Sequence, residues 1–142
     1  MANNAAKSTK RCIQHNMKKT IEEIARDDGR YDARALKFVF EGLAVTVERI
    51  SQQPESGDVP RHISGQELAW GLAEVAQQRW GRLAAMVLAT WNVHTTRDFG
   101  EIVYLMINHG WMTSQETDTI EDFDDVFDFT EVFEEKYTIE VR

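Results

Sequence analysis

Ser64 and Glu67 stand three residues apart at the head of an apolar run, and that pair constrains the chain more than any other feature. With Ser64 as N-cap, its hydroxyl accepts the Glu67 amide while the Glu67 carboxylate reaches back to the Ser64 amide, a capping box. Ile63 before the cap and Leu68 after it hold hydrophobic-staple positions, so two local rules place one helix start. Leu68, Leu72, Val75, Ala76 and Trp80 then follow the 3.6-residue period, with Glu74, Gln77, Gln78 and Arg79 on the other side. Such a helix is amphipathic and requires a core to face.

The neighbouring segments continue in the same period. After Gly81, residues 83–91 are apolar on almost every side, which predicts a centrally buried helix. Asn92 and Val93 end it, and Thr95 or Thr96 caps the next, with Asp98 and Glu101 near the positive end of the helix dipole. Phe99, Ile102, Val103 and Met106 form that helix's apolar stripe, and Gly110 is its left-handed stop. Upstream, Ile13, Met17, Ile21 and Ile24 predict a short first helix ending at Asp27, Asp28 and Gly29. Asp32 caps a second, with Tyr31 and Leu36 at staple positions and Leu36, Val39, Phe40, Leu43, Val47 and Ile50 as its stripe. Residues 52–60, QQPESGDVP, form a polar loop holding both prolines.

Beyond Met112 the character changes. Thr113 and Glu116 make a second candidate capping box. Phe123 and Phe127, then Phe129, Phe133 and Tyr137, recur four residues apart among carboxylates, which predicts two short helices split near Asp128. These rings need burial, and the chain's own core, including the helix of Leu36 and Ile50, is the expected dock. Residues 137–141, YTIEV, alternate and leave room for a short C-terminal strand. The predicted fold class is all-α: a single-domain helical bundle of five to seven helices over residues 13–142, preceded by a flexible basic tail over 1–12.

At 142 residues the chain is the size of one domain, and no stretch approaches a membrane span, so no membrane partner is expected. The N-terminal residues lack the apolar core of a secretory signal, and the single Cys12 fits a reducing compartment, so the expected location is cytoplasmic. Charge is segregated. Residues 1–20 carry five bases and no acid, whereas residues 111–142 carry eleven acids against Lys136 and Arg142. Attraction between solvated ends accounts for this pattern, with partner steering as the alternative.

Chemical motifs are sparse. The sequence holds no phosphate-binding glycine loop, nucleophile elbow or paired cysteines, so no catalytic residue and no cofactor is predicted. His62, Glu67, His94, Asp98 and His109 lack the spacing of helix-borne metal ligands, and the Asp122, Asp124, Asp125, Asp128 run fails as a calcium loop, so no metal is expected. His62 at a helix entry and His94 in a turn are expected to bond to backbone. The four tryptophans, Trp70, Trp80, Trp91 and Trp111, read as core, and Gly42, Gly71, Gly81 and Gly100 as points of close helix approach. A helix-turn-helix reading of residues 91–109 fails because Arg97 is its only firm cation and Asp98 and Glu101 would enter the groove, so no DNA partner is expected.

Four stretches, YDARALKFVFEGL at 31–43, RHISGQELAWGL at 61–72, WGRLAAMVLATWNVHTTRDFGEIVYLMI at 80–107 and DFDDVFDFTEVF at 122–133, resemble a family of small uncharacterised bacterial proteins associated with Planctomycetes and Verrucomicrobia. The resemblance spans residues 30–137 and implies no activity. The functional expectation is therefore a cytoplasmic protein-interaction or regulatory module without catalysis. It would act as monomer or homodimer on a protein partner through an acidic face of Asp122, Asp124, Asp125, Asp128, Glu131 and Glu134. The alternative is a small-ligand or anion-binding protein or an enzyme, with a pocket near Arg61, His62, His94, Arg97 and Asp98 where two helix starts converge.

Overall fold

Local capping side chains set where the helices begin. In the computed structural model, which describes residues 2–3, 18–52 and 62–135, Thr20 accepts the Glu23 amide to open α1 (Ile21–Asp28). Asp32 accepts the Arg34 amide to open α2 (Ala33–Ser51). Ser64 and Glu67 form both halves of their capping box, at 3.1 Å each, and open α3 (Gly65–Trp80). A 3-10 turn (Gly81–Leu83) leads into α4 (Ala84–Thr90). Thr95 and Asp98 form a second box at the start of α5 (Thr96–Asn108). Gly110 ends that helix at φ +81°, and the Trp111 amide closes on the Met106 carbonyl at 2.9 Å. Two-residue strands β1 (Ala2–Asn3) and β2 (Met112–Thr113) pair antiparallel. The fold is all-α and single-domain, with five α-helices among the described residues.

Close backbone approach organises the centre. A Cβ on Gly42 would run into the Leu72 side chain, and one on Gly71 into Thr46, so α2 and α3 cross through reciprocal glycine contacts. Thr46, buried at that crossing, donates its hydroxyl to the Gly42 carbonyl at 2.7 Å. Leu36, Val39 and Leu43 of α2, Leu68 and Leu72 of α3, and Phe99, Ile102, Val103 and Met106 of α5 are fully buried between the helices. Phe38 joins them, its ring meeting Trp80, Trp91 and Phe99.

The C-terminal segment closes this core from one side. A 3-10 turn (Ile120–Phe123) packs on α3 and α5, and a π-type turn (Thr130–Glu135) lies against α3, α4 and the turn between them. Phe123 enters a slot between Gly65 and Gly100, where an added Cβ on either glycine would come within 2.8–3.2 Å of it, inside van der Waals contact. Buried Thr96 ties the segment down: its hydroxyl donates to the Phe123 carbonyl at 2.6 Å and accepts the Val126 amide at 3.1 Å. Phe129 and Phe133 are buried, and Phe127 is half-buried.

Several expectations change. The apolar helix expected to be central is peripheral: in α4 only Ala84 and Leu88 are buried, while Leu83 is 58% and Met86 64% exposed. Thr113 lies in β2, and the local anchors are Asp118, accepting the Gln115 amide at 2.8 Å, and Asp122, accepting the Thr119 amide at 3.1 Å. Two short helical turns do form on either side of Asp128 as expected, but the C-terminal rings do not share one helical face, because the chain turns between them with Asp125 left-handed at φ 50°, and they dock on α3, α4 and α5 rather than on the helix of Leu36 and Ile50. Thr20 is extended, so no helix runs unbroken from Ile13 to Ile24. Phe40 and Val47 are half-buried, the inner face of α2 turning instead to Phe38 and Thr46. Ala2 and Asn3 of the tail expected to be flexible pair with β2, while residues 4–12, Ile13, Met17, the loop beyond Gln52 and the strand expected at 137–141 lie outside the described residues.

Candidate functional site

Three of the five ligand-site candidates sit at the start of α5, and each serves the fold there. Asp98 accepts the His94 amide at 2.8 Å and the Thr95 amide at 3.1 Å through one oxygen, and the Tyr31 hydroxyl at 2.6 Å through the other. It therefore fastens the α4–α5 turn to the loop before α2. Burial, and then the neighbouring Asp98 carboxylate, push the Tyr31 hydroxyl well above its ordinary value, so it stays a donor across the physiological range. Asn92, in a left-handed conformation at φ 67°, donates to the Arg30 carbonyl at 2.9 Å and braces the same junction.

Arg97 donates to Glu101 at 3.1 Å and to Asp124 at 2.9 Å, and Glu101 also receives Arg30 at 3.0 Å. Arg30 first, and then Arg97, hold the Glu101 carboxyl below its ordinary value against the effect of partial burial. His62 bonds instead to Asp118 at 2.8 Å, a side-chain partner where backbone was expected. Burial pushes the Asp118 carboxyl up, yet the Gln115 amide and His62 hold it below its ordinary value. His94 directs its ring to the Asn92 side chain at 3.1 Å, again not to backbone. Arg61 lies outside the described residues. Three of these five candidates are thus committed to internal partners around Tyr31 and Glu101, and His62 to a different one.

The concavity beside His94, about 350 Å³, has neither Arg97 nor Asp98 in its wall; Asp125, Asp128 and Glu131 line it instead. Three carboxylates make it unsuited to an anion. Among the described residues no three histidine, cysteine, aspartate or glutamate side chains are grouped to hold a metal ion, and no helix is long and apolar enough to cross a membrane.

A larger concavity of about 610 Å³ lies between α3 and the C-terminal segment. Trp70, Glu74 and Gln77 of α3 form one wall and Val126, Phe127 and Val132 the other. Trp70 is 49% exposed, not core, and its ring lies on Phe127 with centroids 4.6 Å apart. The sequence did carry this signal, because Trp70 falls at the α3 spacing of Glu74 and Gln77 and opposite Leu68 and Leu72.

Of the acidic face, Asp124, Asp125, Asp128, Glu131 and Glu134 are exposed, while Asp122 is half-buried at its turn. Asp124 is paired with Arg97, and Asp128 accepts the Glu131 amide at 3.0 Å. Compared with protein-family models, curated protein sequences and solved structures, the chain matches none of them.

Proposed function

We propose that the chain is a cytoplasmic protein-interaction module without catalysis, which presents the outer face of its C-terminal segment to a basic partner. The observation that carries this reading is the sorting of that segment: Phe123, Phe129 and Phe133 turn inward, while Asp125, Asp128, Glu131 and Glu134 remain on the surface. Ring burial fixes the backbone, so the carboxylates are held in place rather than on a loose tail. Fixed charges of one sign steer encounter and select a partner of opposite sign. The alternative of an anion pocket has little support, given the internal commitments of Arg97 and Asp98 and the acidic lining beside His94.

Affinity capture with the intact chain tests the reading, using wild type beside a Glu131→Lys/Glu134→Lys variant. A partner retained by wild type, released by salt and lost with the variant supports it. Equal recovery of the same partner by both chains contradicts it.

A further inference from the structure

We draw no further inference here: the strongest candidate, the apolar surface patch on α4 and the turn before it where Leu83 and Met86 stand exposed, carries nothing because nothing in the structure shows what covers it.

Discussion

Replacing Gly100 with alanine tests how the C-terminal segment is held. In an exposed helix the change would stabilise by about 1 kcal/mol, because alanine is the better helix former. At this position the new Cβ would lie 2.8 Å from Phe123 Cβ and 2.9 Å from Cγ and Cδ2 of the same ring. Carbon pairs prefer about 3.5–4.0 Å. The clashing atoms lie at the root of a fully buried side chain, where rotation brings little relief. Overpacking of this kind costs about 1–3 kcal/mol, and an anchored ring belongs at the upper end. Set against the helix gain, the expected net loss is roughly 2 kcal/mol. Urea denaturation of wild type and Gly100→Ala measures it directly. Phe123→Ala removes two of the three close atoms, so in that background Gly100→Ala should cost at least about 1 kcal/mol less than in wild type. A stabilised Gly100→Ala chain, or strict additivity of the two changes, would refute the slot.

Other consequences follow from the same contacts. Ser64→Ala removes the acceptor for the Glu67 amide and should lower stability by about 1 kcal/mol, read as a shift in denaturation midpoint. Tyr31→Phe removes a 2.6 Å hydrogen bond to Asp98 and should cost about 1.5–3 kcal/mol because the acceptor is charged. Because the folded state holds the Tyr31 hydroxyl above its ordinary value of 10.0, its contribution is complete below that pH and is lost as pH rises further. Alkaline melting curves should therefore fall more steeply for wild type than for Tyr31→Phe. At the acid end Arg34, by side chain and then by amide, holds Asp32 down to about 2 from 3.8, so its contribution is present above 3.8 and lost as pH falls towards 2. Asp32→Asn, which retains a capping side chain, should flatten acid melting curves across that window.

Helix starts were legible in the sequence because capping is local: Asp32, Ser64 and Thr95 each satisfy amides within three residues. The stripe Phe99, Ile102, Val103 and Met106 was equally plain, because the opposite positions of that helix are more polar. Depth was not legible for residues 83–91. An almost wholly apolar run states what a helix tolerates, while neighbours decide what covers it, and Leu83 and Met86 have no covering layer among the described residues. The C-terminal rings were correctly expected to need burial on two short helical turns split near Asp128, but not to leave a common face, because buried Thr96 and the Gly65–Gly100 slot impose a tight turn on Phe123. Of the ligand-site candidates, Asp98 had a visible capping role, whereas its bond to Tyr31, 67 residues away, is tertiary and leaves no local trace.

The acidic segment docks on the chain's own core and so fixes the face it presents. Fully burying each phenylalanine is worth about 1.5–3 kcal/mol, so Phe123, Phe129 and Phe133 together approach the 5–15 kcal/mol that typically holds a whole domain folded. The melting temperature of a chain ending at Ser114 measures that directly. The truncated chain should be insoluble or show no cooperative transition. A truncated chain that melts at the wild-type temperature would contradict it, and would place those rings on another molecule.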